Sequence, residues 1–332
     1  VGNAFIFAAN SVLPIIILIA LGYVLKRIGL LTKGFLDVGN KLTFRVLLPV
    51  MLFCNVYGIG RITEINLVFV LYGTAGVFAV FLLAAAVCCA FTKDSAKRGT
   101  LIQAVFRSNY AIIGIPLAAS LFGEKGAAAA GVMSAFCVPL FNILAVITLT
   151  IFNGSSEKRT VDVRKVLVGV VKNPLIIGTF AGLMCLVLRE LFVTWNIDFR
   201  LSDITVLYRS LENVKSICTP FALIVLGGKF EFSAVPKLKN EIIFGTVMRT
   251  VAVPVFGLST AYLLKDAFAL SGEHFAAYVG VFATPVAVSS AIMAKEMGAD
   301  DELAGQLVVW TSLVSTVTIF FIVTALVMLG VF

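Results

Sequence analysis

The chain has 332 residues, 60% of them from the apolar AVILMFWYC set and only 13% charged, a balance far from that of a water-soluble domain. Its formal charge of +8 comes from short basic clusters between apolar stretches, not from one aromatic-studded face, so membrane topology accounts for it better than nucleic-acid binding. Five runs lack Asp, Glu, Lys and Arg altogether (Val1 to Leu25, Asn66 to Thr92, Gly126 to Ser156, His274 to Ala294, Leu303 to Phe332), each long enough for the roughly 20 residues that cross a hydrocarbon core, and the apolar-polar alternation of barrel strands is missing.

Apolar windows predict ten helical spans. The first, 4–25, is too long for the apolar part of a cleavable signal and lacks a basic leader; Lys26, Arg27 and Lys33 follow it. The second, 37–58, holds Lys41 and Arg45 ahead of Leu48-Pro49, and the third, 66–91, runs out at Thr92-Lys93-Asp94, with Lys97 and Arg98 beyond. The fourth, 98–122, contains Arg107, Asn109, Tyr110 and Gly114-Ile115-Pro116. The fifth, 127–152, leads into a polar linker, 153–165, that carries Lys158, Arg159, Arg164 and Lys165.

After the linker come the sixth span, 166–190, and the seventh, 204–228, where Glu212 and Lys215 are spaced for an i,i+3 ion pair ahead of Thr219-Pro220. Lys229, Lys237 and Lys239 follow the seventh; the eighth, 240–264, contains Arg249 and ends at Leu264-Lys265-Asp266. The ninth, 274–297, carries Thr284-Pro285, Ser289 and Ser290, while His274 beside Glu273 reads as a solvated loop residue. The tenth is 302–330. Basic clusters after odd-numbered spans place those loops in the cytoplasm and both termini outside. All six cysteines fall in apolar stretches without ligand spacing and read as small packing residues.

When span one is laid on span six, Leu48-Pro49 meets Thr219-Pro220, Thr92-Lys93-Asp94 meets Leu264-Lys265-Asp266, and Gly114-Ile115-Pro116 meets Thr284-Pro285. Five spans is an odd number, so the halves, 1–152 and 166–332, are expected as inverted repeats of an all-α membrane protein. Pro116 and Pro285 mark spans four and nine as candidates for broken helices, because proline removes a donor and crowds the preceding turn. A break in lipid is tolerated where it is buried in protein or lines a wet cavity, and a matched pair of breaks points to a binding site. Second half-helices starting near Pro116 and Val286 would turn positive N-terminal dipoles to the midplane, favouring a carboxylate.

Candidate substrate residues are therefore Asn109, Arg107, Tyr110, Gly114, Pro116, Thr284, Pro285 and Ser289. Arg107 lies nine residues past Arg98, about 13 Å along a helix, so it is deep in the membrane, as is Arg249. Either arginine reads as an attractor of anions or as a structural donor to broken-helix carbonyls. Candidate coupling residues are Thr284, Ser289 and Ser290 for sodium and Glu212 for protons.

The segments LPIIILIALGYVLKRIGLL, RVLLPVMLF, NYAIIGIPLAASLFGEKG, KNPLIIGTFAGL, PFALIVLGG and ATPVAVSSAIMAKEMGAD, spread over the whole length, resemble the auxin efflux carrier family, in particular its bacterial members. That family includes plant PIN auxin carriers and bacterial malate or malonate permeases. The resemblance implies a scaffold of spans one, two, six and seven, a transport domain of spans three to five and eight to ten, and crossing broken helices at spans four and nine. It also implies elevator-like movement, a homodimer joined through the scaffold, and contact of the substrate carboxylate with Asn109. The chain departs from plant members in its short central linker and in a second crossover, Thr284-Pro285, without the Gly-x-Pro form.

Residues and resemblance together lead to the expectation of a secondary transporter of small mono- or dicarboxylates in a bacterial inner membrane, without a cofactor or nucleic-acid partner and coupled to sodium, to protons or to neither. A sensor or channel on the same fold is the alternative. An intramembrane enzyme would need a metal or nucleophile constellation, and the chain has one histidine, no HExxH and no serine with a visible base.

Overall fold

The computed structural model describes residues 2–58, 66–152 and 163–332, with side chains from residue 13 onward apart from those of 163, 165 and 166. Most of the expected linker, with Lys158 and Arg159, lies outside the described residues. The described residues are helical with no named strand. In chain order the helices are α1 (Gly2–Arg27), α2 (residues 33–57), α3 (Leu67–Phe91), α4 (Ser95–Phe106), α5 (Tyr110–Ile151), α6 (Val163–Lys172), α7 (Pro174–Thr194), α8 (Thr205–Lys229), α9 (residues 235–263), α10 (Gly272–Ala283), α11 (Ser289–Glu296) and α12 (Asp301–Met328). Five stretches among the described residues are long and apolar enough to cross a membrane: α3, α5, α7, Phe232–Leu263 and α12.

Local chemistry sets many of the helix starts. Thr32, Asn66, Asp94, Asn173 and Asp300 each accept a backbone N–H of the following first turn, which satisfies donors that would otherwise be orphaned at the helix end. Within the long apolar segments, three prolines are accommodated by widened π turns instead of breaks. Thr43–Leu47 precedes Pro49, Tyr110–Gly114 precedes Pro116, and Met248–Ala252 precedes Pro254. An extra residue in the turn gives the pyrrolidine ring room beside the carbonyl it would strike in a regular α-helix. The fourth span is accordingly broken at Arg107 to Asn109, well before Pro116, which sits inside α5. A second departure from helix in α5, at Phe122 and Gly123, uses the positive φ of Gly123 (57°) to turn the chain between the expected fourth and fifth spans.

Glycines bring two pairs of helices into backbone contact. On α1 and α8, Gly22 faces the Ile224 carbonyl and Gly227 the Ile19 carbonyl; a Cβ on either glycine would collide with backbone. On α7, Gly178 and Gly182, four residues apart, face Pro49 and Phe53 of α2, and a Cβ on Gly182 would lie 2.7 Å from the Phe53 carbonyl oxygen. Small residues at such spacing are how helices pack closely where lipid offers no hydrophobic drive.

His274 lies within the first turn of α10, not in a solvated loop. Its Nδ1 pairs with the Ser271 hydroxyl at 2.9 Å and its ring centroid is 4.4 Å from that of Phe69. A position three residues after the N-cap serine lets the imidazole close a capping box while its apolar edge packs on α3.

Gly227→Ala forces backbone apart and is expected to cost about 1–3 kcal/mol, read as a lower melting temperature of the purified protein. Gly131→Ala, whose Cβ meets no atom within 4 Å, is expected to leave the melting temperature equal or slightly raised.

Candidate functional site

Between α4 and α5 the chain is extended at Arg107 (φ −90°, ψ 105°), and between α10 and α11 it is extended at Thr284 (φ −72°, ψ 154°). These two interruptions bond to each other. Asn109 N–H donates to the Pro285 carbonyl at 2.8 Å, Ala287 N–H donates to the Arg107 carbonyl at 3.3 Å, and Ser108 and Val286 form an isolated antiparallel bridge. Val286 N–H is taken by the Thr311 hydroxyl of α12 at 3.1 Å. Peptide groups that lose their helical partners at one break thus find them at the other or on a neighbouring helix. The helices can approach because Gly114 of α5 meets Gly280 of α10, where a Cβ on Gly114 would stand 3.0 Å from the Gly280 Cα.

The carbonyl ends of both interrupted helices converge on Arg249 of α9, which is fully buried. Its Nε donates to Thr284 O at 2.8 Å, Nη1 to Val105 O at 3.0 Å and Phe106 O at 3.4 Å, and Nη2 to Val281 O at 3.0 Å. One planar cation therefore serves the C-termini of α4 and α10 together, the end of a helix that favours positive charge.

The opposite ends, where α5 and α11 begin, have no side-chain cap. Beside them lies a cavity of about 50 Å³. Its walls come from both breaks (Arg107 to Ile112, Ala287 to Ser289), from α2 (Leu48, Met51, Leu52), from α8 (Cys218, Thr219, Ala222) and from the later part of α5 (Val138, Phe141, Asn142). Among the described residues that line it, Arg107 alone carries charge. Arg107 Nη2 donates to Asn142 Oδ1 at 2.7 Å, and Nη1 rests against the Met293 sulfur. Several buried polar atoms here have no partner: Asn109 Nδ2, Asn142 Nδ2 and Ser108 Oγ on the lining, and Ser290 Oγ next to it.

Of the sequence-derived candidates, Arg107, Asn109, Tyr110 and Ser289 line this cavity. The Tyr110 hydroxyl donates to Ala130 O at 3.0 Å, so Tyr110 secures the start of α5 against its later turns. Gly114 and Pro285 serve the crossing itself, as described above, and Pro116 follows the π turn. Thr284 is engaged twice, its hydroxyl on Gly280 O at 2.7 Å and its carbonyl on Arg249. Glu212 is paired with Lys215 at 3.1 Å, the spacing read from the sequence, and is not among the cavity residues. Asn142 and the α2 and α8 walls escaped sequence reasoning. Asn142 sits in an apolar helix with no local anomaly, although an asparagine inside a charge-free run is itself a polar signal.

A family profile described as "Membrane transport protein" matches residues 7–323. The chain belongs to that family, the auxin efflux carrier-like group of membrane transport proteins. A relative from Methanothermobacter thermautotrophicus, described as an uncharacterized transporter, is 22% identical over 320 residues, covering 95% of this chain and 97% of its own length. As a family member with several apolar helices, the protein is a multi-pass membrane transporter. In such a protein the buried guanidinium of Arg249 has no solvent to fall back on, and removing it would leave four carbonyls without their donor. Arg249→Met is expected to lower stability by at least about 3 kcal/mol, at roughly 1–3 kcal/mol for each buried group left unpaired. Arg249→Lys should recover part of that loss, since an ammonium keeps the charge without the planar fork; melting of the purified protein in detergent reads both.

Proposed function

We propose that this protein is a secondary transporter of small organic anions, mono- or dicarboxylates, that binds them in the cavity where the two interrupted helices meet. The observation that carries the reading is the donor set there: the unpartnered Asn109 Nδ2, the uncapped starts of α5 and α11, and Arg107 as lone charged residue among the described lining. A carboxylate supplies acceptors and negative charge in one group, which is what such a donor set lacks. At about 10–15 Å³ for each water position, the cavity of about 50 Å³ has room for a guest of roughly three to five heavy atoms, the size of a small monocarboxylate, and a dicarboxylate would require it to widen.

The wider architecture belongs to the same proposal. Ten spans in two inverted repeats are supported by the close helix pairs. The α1–α8 pair involves spans one and seven, the α2–α7 pair spans two and six, and exchanging the repeats turns one pair into the other. In this reading spans one, two, six and seven form a scaffold and homodimer interface, while spans three to five and eight to ten move as an elevator. The protein resides in the inner membrane of a bacterium with both termini outside. Transport is coupled to sodium, to protons or to neither. A sodium ion would draw on the hydroxyls of Thr284, Ser289 and Ser290, the Thr284 oxygen keeping its lone pairs while it donates to Gly280 O, and Glu212 is the carboxylate available to a proton.

Uptake of radiolabelled malonate and malate into proteoliposomes tests the reading. Wild-type protein is expected to accumulate at least one of them above empty vesicles, with Asn109→Ala falling to background while retaining its elution profile and melting temperature within a few degrees. Full uptake by a folded Asn109→Ala would remove the site. Replacing sodium by choline, or collapsing the proton gradient, identifies the driving ion.

A further inference from the structure

Asn142 is 1% exposed, lies in the later part of α5 and lines the cavity beside the breaks. Its two amide atoms are in different situations. Oδ1 accepts Arg107 Nη2 at 2.7 Å, and Nδ2 has no partner. The cation thereby determines which end of the amide is consumed inside the protein. An amide whose oxygen is held by a guanidinium has only its two N–H donors left to offer. Leaving them buried and unpaired costs free energy unless a ligand acceptor meets them.

We propose that Asn142 is a second substrate-binding residue, and that Arg107 is a positioning residue which orients it and supplies positive charge at one remove from the carboxylate. This deepens the anion-site reading above and rests on it. The carboxylate would be met by neutral amide donors from two segments, Asn109 at the first break and Asn142 on the later part of α5. Asn142 and the Met293 sulfur take one N–H from each terminal nitrogen of Arg107, which ties the guanidinium to the wall of the cavity, and its three other N–H groups are assigned no two-pronged pair with the substrate. That division suits a carrier. A direct buried Arg–carboxylate fork is among the strongest polar contacts available and would retain the substrate. Amide donors biased by a nearby charge attract an anion and still release it, which conduction and transport both require.

Asn142→Asp separates this role from a structural one. The carboxylate keeps an acceptor for Arg107, now as a charge-assisted bond, so folding is preserved; it removes both donors and adds a negative charge where the substrate carboxylate would sit. Asn142→Ser, which also keeps an oxygen within the helix, serves if the aspartate variant does not fold. The probes are malonate, malate and acetate against chloride at matched ionic strength, read as the ligand-dependent rise in melting temperature and as Kd by titration. Wild type should respond to at least one carboxylate, and Asn142→Asp should bind it at least tenfold more weakly with an unliganded melting temperature equal to or above wild type. Asn109→Ala is run alongside. If Asn109→Ala loses the response while Asn142→Asp keeps wild-type affinity, the role of Asn142 is overturned and the site at the breaks stands. If both variants keep wild-type affinity, the anion site itself is misplaced and the inference falls with it.

Discussion

Everything at the centre of this molecule hangs on the guanidinium of Arg249. A cation inside an apolar bundle is expensive, by at least about 2.5 kcal/mol on insertion scales, and is retained where something inside needs it. Here the need comes from two helices that stop in mid-bundle and leave carbonyls facing each other. Val105 and Phe106 from one, Val281 and Thr284 from the other, all accept from the same planar group. A lysine has the charge but not the spread of nitrogens to reach acceptors on two helices at once. With the carbonyl ends pinned, residues 107–109 and 285–287 are held close enough to exchange backbone hydrogen bonds.

Pinning one pair of ends has consequences for the other pair. The negative ends of α4 and α10 are neutralised from within the protein, while the positive ends at Tyr110 and Ser289 receive no side-chain cap. At the loops the same chain does cap its helices, with Thr32, Asn66, Asp94, Asn173 and Asp300. The residual field at the crossing is therefore positive, reinforced by Arg107, in surroundings where Leu48, Leu52, Val138 and Phe141 keep the dielectric low and the field strong. Two arginines of similar depth thus do different work: Arg249 satisfies the protein and Arg107 faces the cavity.

Sequence reading reached the helical class, the presence of several apolar membrane-length helices and the two regions where helices break. It put the first break at Pro116, seven to nine residues past the true one, because proline is a marker of local crowding and not of a break. Pro49, Pro116 and Pro254 all resolve that crowding with a π turn, a choice made by packing and invisible in the local residues. Pro285 marked its break well because it sits in the extended segment and contributes the carbonyl that Asn109 uses. The two readings of a buried arginine could not be separated from position alone, since the decision depends on carbonyls more than 30 residues away on one side and more than 140 on the other. The glycine contacts were legible in principle, Gly178 and Gly182 lying four apart in the sixth span, whereas Asn142 acquires its meaning only from Arg107.

The contacts that hold the helices together are of two kinds, and the difference bears on how a transporter of this shape could work. Between α1 and α8, and between α2 and α7, glycine lets backbone touch backbone, so a slide of even one residue would drive a side chain into a carbonyl. Around the cavity Met51 and Leu52 of α2 and Ala222 of α8 line the same space as residues 107–112 and 287–289 of the breaks. Further along the same boundary Asn40 of α2 donates to Glu296 at 2.8 Å and to Ile292 O at 3.4 Å, both of α11, and these side-chain bonds can be broken and remade. Surfaces of the first kind resist shear, and surfaces of the second kind tolerate it at the cost of a few replaceable contacts. If one body moves against another, the boundary that yields is the one along which the cavity lies, and a ligand bound there would be carried by the breaks while the walls of α2 and α8 stay behind.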